Sequence, residues 1–156
     1  ALTRYTGKQR RRILTAKNNN VLFGHWANRV GVAYMTGWKT QTNSKFGTFD
    51  WLAFCATDRG PSGPNIIANG KEIGIYPHGS RPLRNVVIND KRGLWKNERS
   101  DFAVAEIKVW DQPLSKYTMQ AEMKKLMGKL SARTSSMQKL KLRKLQIEAN
   151  SKDEKL

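Results

Sequence analysis

The sequence predicts an all-β fold, an antiparallel β-sandwich followed by a basic, helical C-terminal extension. Short segments rich in strand formers alternate with turn residues from residue 13 to residue 110. After that point the apolar residues adopt a helical spacing. The chain of 156 residues also carries 29 Lys and Arg against 12 Asp and Glu, a net charge of +17. Such an excess indicates an acidic partner rather than a particular fold.

Two segments in the first half of the chain have the composition of strands. Residues 30–35 are rich in strand formers, and Gly31 among them indicates a bulge or a close backbone approach. Residues 51–56 are apolar on both parities, as expected for a strand inside a sandwich. Residues 58–64, with two Gly and two Pro, predict a loop.

The sharpest local signal is a hairpin around Asn69-Gly70, between short segments at residues 65–68 and 71–75. Asn-Gly tolerates the two positive φ angles of a type I′ turn, so these segments should pair tightly. Residues 84–89 and 102–110 supply two further strands. In the last strand one parity is uniformly apolar and is expected to face the core: Ala103, Ala105, Ile107 and Val109.

A short helix closes the predicted sandwich. Ser115 ends a turn and is the expected N-cap. The apolar residues that follow recur at helical spacings and predict an amphipathic helix, which Gly128 would weaken. These residues are Met119, Met123, Leu126, Met127 and Leu130.

Residues 131–156 form a basic tail, with seven Lys or Arg against three acids and no Gly or Pro. Their spacing predicts a helix with two apolar stripes, able to contact its own domain and a partner together. The alternation over residues 140–142 makes a strand one alternative to this helix. A frayed, charged tail is the other alternative. We therefore expect three parts: an N-terminal basic arm or first strand at 1–12, the sandwich at 13–130, and the tail.

Three stretches carry the features of one known superfamily. Residues 21–38 contain Gly-His-Trp and Gly-Trp, residues 66–73 contain the Asn-Gly hairpin, and residues 100–115 contain Ala105-Glu106 and Leu-Ser. In this order they resemble the laminin-G-like branch of the concanavalin A-like lectin/glucanase superfamily, in a Trp-rich version similar to modules of algal proteins. The resemblance implies a jelly-roll sandwich with Glu106 as a structural, hydrogen-bonded residue. The family's first long strand is almost absent, so either the sequence omits it or another chain covers the edge.

Carboxylates in the closing strand decide against an enzyme. Glycoside hydrolysis needs two carboxyl groups about 5–9.5 Å apart across the scissile bond. Asp101, Glu106 and Asp111 are spaced five residues apart, which puts neighbouring acids on opposite faces of a strand. We expect a non-catalytic protein.

Neither a metal nor another cofactor is predicted. His25 and His78 are far apart and have no Cys or carboxylate cluster. Asp50, Asp58 and Asp90 are too scattered to indicate calcium. Cys55 is expected to be a small buried apolar residue. As the single cysteine, it gives no sign of an oxidising compartment, which favours an intracellular protein. A plastid or a mitochondrion is expected because a linker of a light-harvesting complex or a protein of an organellar ribosome would fit so basic a chain.

A partner is expected at the two basic ends of the chain. No membrane span is expected, because no apolar run approaches the ~20 residues a bilayer requires. Acidic protein subunits of a large assembly are the first expectation, and RNA is an alternative. The chain would then be a linker-type scaffold subunit, as in a light-harvesting complex or an organellar ribosome. The predicted partner-binding residues are Arg10, Arg11, Arg12, Trp95, Lys139, Lys141, Arg143 and Lys144.

A carbohydrate is the other candidate ligand. A sugar site needs an aromatic platform and a few fixed polar groups. Trp26, Trp38 and Trp95, with Asn28 and Asn97 near them in sequence, meet that description. The competing interpretation places Trp26 and Trp38 in the core or on a sheet face. A carbohydrate-binding module is therefore the alternative function.

Overall fold

A computed structural model describes residues 1–17, 19–35, 37–43, 46–57, 65–75, 85–90 and 97–132. Within these ranges the chain forms nine strands and, after the last strand, one helix, as the sequence predicted. The elements are β1 (Leu2–Tyr5), β2 (Leu14–Ala16), β3 (Asn19–Trp26), β4 (Arg29–Met35), β5 (Leu52–Ala56), β6 (Ile66–Ala68), β7 (Lys71–Gly74), β8 (Val86–Ile88), β9 (Phe102–Glu106) and α1 (residues 116–132).

The strands form two antiparallel sheets that share one apolar core. The first sheet has the order β7-β6-β5-β1-β9, and the second has the order β4-β3-β2-β8. Side chains from both sheets meet in a single buried cluster, because alternate residues of each strand point to the same side. Members of that cluster include Tyr5, Leu52, Phe54 and Ile66 from the first sheet and Leu14, Phe23, Val30 and Ala33 from the second.

The other side of the five-stranded sheet is covered by α1. Met119, Met123 and Leu126 pack against a cluster that includes Ala53 and Cys55. Strand β5 is thereby buried on both faces, which explains why residues 51–56 are apolar on both parities. The prediction that Cys55 is a buried apolar residue is confirmed, since its side chain is buried in this cluster.

The predicted cap and stripe of α1 are both present. The Ser115 Oγ accepts a hydrogen bond from the Thr118 backbone N–H at 3.1 Å, which satisfies one of the free N–H groups of the first turn. Met119 and Met123 are almost wholly buried, whereas Met127 lies at the margin and is exposed. Gly128 does not end the helix, which continues to residue 132.

The Asn-Gly hairpin is confirmed between β6 and β7. Asn69 and Gly70 have φ angles of 45° and 78°, the two positive values that a type I′ turn requires. The Asn69 side chain also accepts a hydrogen bond from the Ala53 backbone N–H at 2.8 Å. A second turn of this kind, unpredicted, joins β3 to β4, where Ala27 and Asn28 have φ angles of 48° and 69°.

Gly31 meets the expectation of a close backbone approach. Its φ is +85°, and a Cβ at this position would lie 2.6 Å from the Phe46 ring. Only glycine adopts that conformation at little cost and leaves room for the ring.

The predicted core face of the closing strand is correct at Ile107 and wrong at Ala105 and Val109. Ala105 is exposed and Val109 is 73% exposed, whereas Phe102 and Ile107 pack against the core. The reason is a register shift between the strands: Leu2 pairs with Glu106 and Thr3 pairs with Val104. Ala105 therefore has no partner in β1, and a bulge of this kind reverses the parity beyond it, so that Phe102 before the bulge and Ile107 after it both face the core.

The N-terminal residues contribute a strand and not only an arm. β1 is an internal strand of the five-stranded sheet, between β5 and the edge strand β9, so residues 2–5 do not form an edge. The predicted loop at 58–64 and the tail from residue 133 onward lie outside the described residues.

Candidate functional site

The most basic stretch of the chain is the loop between β1 and β2, and its backbone is held in place over its whole length. It lies between the turn after β3 and the segment before β9. The hydrogen bonds are Thr6 N to Asp101 O (2.9 Å), Gln9 N to Asp101 Oδ2 (2.9 Å), Asp101 N to Gln9 O (2.7 Å), Asn28 N to Arg10 O (2.9 Å), Arg11 N to Ser100 Oγ (2.8 Å), Arg12 N to Glu98 O (2.9 Å) and Tyr5 Oη to Arg11 O (2.5 Å).

This arrangement creates a cleft of about 530 Å³ at one end of the two sheets. Three kinds of groups line it: cations, amides and the turn of the β3–β4 hairpin. Gln9, Asn28 and Asn97 supply the amides. The cations are Lys8, Arg10, Arg11 and Arg99, and no acid belongs to the described lining.

The nearest carboxylates are already engaged by other groups. Glu98 Oε2 accepts hydrogen bonds from the Arg12 guanidinium and from the Trp26 indole, the latter at 3.1 Å. Asp101 Oδ2 accepts the Gln9 backbone N–H. None of the ion pairs found among the described residues involves a lining cation. The positive charge of the cleft is therefore left to solvent or to a ligand.

Arg10 is the most enclosed of these cations. Its guanidinium carbon lies 5.3 Å from the centre of the Phe49 ring, and its Nε is buried with no hydrogen-bond partner. A cation that has lost part of its hydration without a polar partner is costly. An anion in the cleft would offset part of that cost.

Beside the cleft, an aromatic cluster lies on the four-stranded sheet. The Trp38 ring is 5.6 Å from that of Trp26 and 5.5 Å from that of Tyr34. The Arg29 guanidinium lies over both tryptophans, at 5.1 Å from Trp26 and 5.8 Å from Trp38. Two of the three tryptophans predicted as a sugar platform, Trp26 and Trp38, are thus together, with an arginine already stacked on them.

Two carboxylates, Glu106 of β9 and Glu122 of α1, are held in ion pairs. Glu106 contacts the ammonium groups of Lys129 and Lys108, and the hydrogen bond from Lys129 is the main cause of its lowered pKa. Glu122 of α1 has a pKa lowered to about 2, first by Lys108 and then by Lys125. Carboxylates held ionised in this way are poor general acids, since that role needs a pKa near the working pH.

Other chemistry is sparse in the part of the chain that is described. No three His, Cys, Asp or Glu side chains gather there as metal ligands would, and His25 is buried between the sheets. No described helix is both long enough and apolar enough to cross a bilayer.

The structure separates the predicted partner-binding residues. Arg10 and Arg11 line the cleft, whereas Arg12 is 5% exposed and ion-paired to Glu98. Arg12 therefore holds the loop rather than a ligand. Of the sugar-site residues, Asn28 and Asn97 both line the cleft. Trp95, Lys139, Lys141, Arg143 and Lys144 lie outside the described residues.

Two cations of the cleft, Lys8 and Arg99, were not singled out from the sequence. They are separated by 91 positions, and only the pairing of β1 with β9 brings their segments together. An isolated basic residue in a basic chain carries no signal by itself.

The chain matches no protein-family model, and comparisons with curated proteins and with solved structures give no significant match. The resemblance to the laminin-G-like branch therefore stays a prediction.

Proposed function

We propose that this protein is a non-catalytic docking subunit that binds an acidic protein partner through the basic cleft between its β1–β2 loop, its β3–β4 turn and residues 97–99. One observation carries the proposal: four cations line a cleft in which the described residues supply no acid. A linker-type subunit of a large organellar assembly, on a lectin-like jelly roll, is the wider form of the proposal.

Preorganisation supports this function. The backbone from residue 6 to residue 12 is hydrogen-bonded to residues 98–101, to Asn28 and to the Tyr5 hydroxyl, so Arg10 and Arg11 leave a fixed loop. Binding then costs the ordering of side chains and not of the loop, which favours affinity. A positive electrostatic potential at the cleft and a negative one on an acidic partner also speed their association and make it dependent on salt.

Poly-L-glutamate is the probe that tests the docking function. We expect the chain to bind it at low salt and to release it as ionic strength rises. The triple variant Arg10→Gln, Arg11→Gln and Arg99→Gln should bind about tenfold more weakly, because each exposed charge pair contributes roughly 0.2–1 kcal/mol. Glutamine keeps much of each side-chain stem, and the loop is held by backbone atoms, so circular dichroism should be unchanged.

A matched control separates the cleft from net charge alone. Lys17→Gln, Lys71→Gln and Lys124→Gln remove the same three charges from exposed positions outside the cleft. At an ionic strength of about 0.1 M, where the Debye length is about 10 Å, we expect this control to bind within about twofold of the original chain, since charges distant from the cleft are largely screened. An equal loss in both triple variants would contradict the proposed site.

The basic tail is expected to contribute to the same docking function. Removing residues 133–156 deletes seven Lys or Arg and three acids and leaves α1 intact to residue 132. We expect the truncated chain to unfold at the same temperature and to bind poly-L-glutamate more weakly. Unchanged binding would restrict docking to the cleft.

Carbohydrate binding is the second candidate, and the Trp26–Trp38 cluster favours it. Trp38 is 36% exposed, but Arg29 lies over both rings, so a sugar would have to displace a cation–π contact. Binding of a neutral oligosaccharide that is insensitive to salt and lost in Trp38→Ala would favour this candidate over docking.

A further inference from the structure

We propose that the group recognised in the basic cleft is a phosphoryl group, carried by a phosphorylated side chain of the acidic protein partner. This inference rests on the docking function above and specifies its ligand. It follows from the charge, donor types and dimensions of the cleft.

The charge of the cleft exceeds what one carboxylate can balance. Lys8, Arg10, Arg11 and Arg99 place four positive charges around one space. A glutamate supplies one negative charge, whereas a phosphorylated Ser or Thr supplies about 1.5 to 2 together with three acceptor oxygens. The phosphoryl group therefore relieves more of the repulsion among these cations.

The donor types also match phosphate. Three of the four cations are arginines, whose planar guanidinium groups donate two parallel hydrogen bonds to phosphate oxygens. Gln9, Asn28 and Asn97 add neutral amide N–H donors along the same lining. Several donors from separate segments can thus surround one tetrahedral anion.

The dimensions fit a group presented on a chain. A volume of about 530 Å³ lies within the roughly 300–1,000 Å³ of small-ligand sites, well beyond what a single carboxylate occupies. Lys8, Arg11 and Arg99 are exposed at its border, so a side chain of a folded or extended partner has access.

A phosphoprotein fits these observations better than RNA. Single-stranded RNA binds along a basic groove in which bases stack on aromatic rings. The two clustered tryptophans beside the cleft, Trp26 and Trp38, already have the Arg29 guanidinium on them. A base would therefore have to displace this cation–π contact before it could stack there.

The test compares two labelled acidic peptides that differ at one position, phosphoserine in one and glutamate in the other. Each is titrated with the full chain at 100 mM NaCl and followed by fluorescence anisotropy, with inorganic phosphate and oligouridine as competitors. We expect the phosphoserine peptide to bind on the order of tenfold more tightly, through one to three additional charge-assisted hydrogen bonds. Arg10→Gln, Arg11→Gln and Arg99→Gln together should remove this difference, and the Lys17, Lys71 and Lys124 control should keep it.

The outcomes separate this inference from the docking function. Equal affinity for the two peptides, with both weakened by the cleft variant, would overturn the phosphoryl ligand and leave the docking site standing. Equal weakening by the cleft and control variants would overturn both. Oligouridine that displaces the phosphopeptide at far lower concentration than inorganic phosphate, in a cleft-dependent way, would overturn the protein partner and assign the site to RNA.

Discussion

The buried histidine in the core gives the protein a predicted dependence of stability on pH. His25 has no exposed surface, and its ring lies edge-on to that of Tyr5 at 4.8 Å. Its Nδ1 is 3.5 Å from Thr3 Oγ1, and its Nε2 is buried without a hydrogen-bond partner. Burial lowers its pKa from 6.5 to about 3, because the charged form would lose its hydration.

The sign of the effect follows from which state binds the proton. Below pH 6.5 the unfolded chain protonates His25, and the folded chain does so only near pH 3. The contribution to stability is therefore complete above pH 6.5 and is lost as the pH falls towards 3. At about 1.4 kcal/mol per pH unit, the free energy of unfolding should fall by about 2 kcal/mol between pH 7 and pH 5.

This window isolates the histidine from the carboxylates with lowered pKa. Glu106 and Glu122 have an ordinary pKa of 4.5 that is lowered in the folded chain, so their effect on stability begins below pH 5. Guanidinium unfolding at pH 7, 6 and 5, followed by tryptophan fluorescence, measures the change. His25→Phe keeps an aromatic ring beside Tyr5, and His25→Gln keeps a polar group; both should have a shallower dependence on pH. The reasoning is refuted if the original chain and both variants lose stability equally.

Three further predictions concern single contacts, and chemical or thermal unfolding measures each. Gly31→Ala should destabilise the fold by about 1–3 kcal/mol, since it combines a positive φ with a clash. Gly128→Ala, with open space around it, should instead stabilise α1 by about 0.8–1 kcal/mol. A change of the same sign for both variants would contradict this prediction. Ser115→Ala should cost about 1 kcal/mol through loss of the cap to Thr118, and no loss would mean that the bond is replaced by water. The pKa of Glu122 is about 2 in the folded chain and 4.5 in the unfolded chain, so its ionised form stabilises the fold fully above pH 4.5, and this contribution is lost as the pH falls to 2. Glu122→Gln should therefore lose less stability between pH 5 and pH 2 than the original chain.

Local signals in the sequence predicted the elements that depend on neighbouring residues. The Asn69-Gly70 turn follows from backbone conformations that few residues tolerate. The cap at Ser115 and the apolar stripe of α1 follow from hydrogen bonding and periodicity within one helix. These features need no knowledge of distant parts of the chain, and the structure confirms them.

Long-range pairing decided what those signals could not. The bulge at Ala105, set by the register of β9 against β1, lets Phe102 and Ile107 both face the core although they differ in parity. The ion pair with Glu98, 86 positions away, removes Arg12 from the set of surface cations. Neither consequence is encoded near the residue that it affects.

By itself, the sequence determined a β-rich chain with a capped amphipathic helix and a large positive charge, because propensity, turn chemistry and charge are local or additive. Tertiary structure decided where that charge acts. Lys8, Arg10 and Arg11 lie beside Arg99 because β1 pairs with β9 and because the β1–β2 loop is hydrogen-bonded to the segment before β9. Glu98, in turn, is ion-paired to Arg12 and accepts a hydrogen bond from Trp26. A binding cleft depends on which distant groups meet and which neutralise each other, and only the folded chain fixes both.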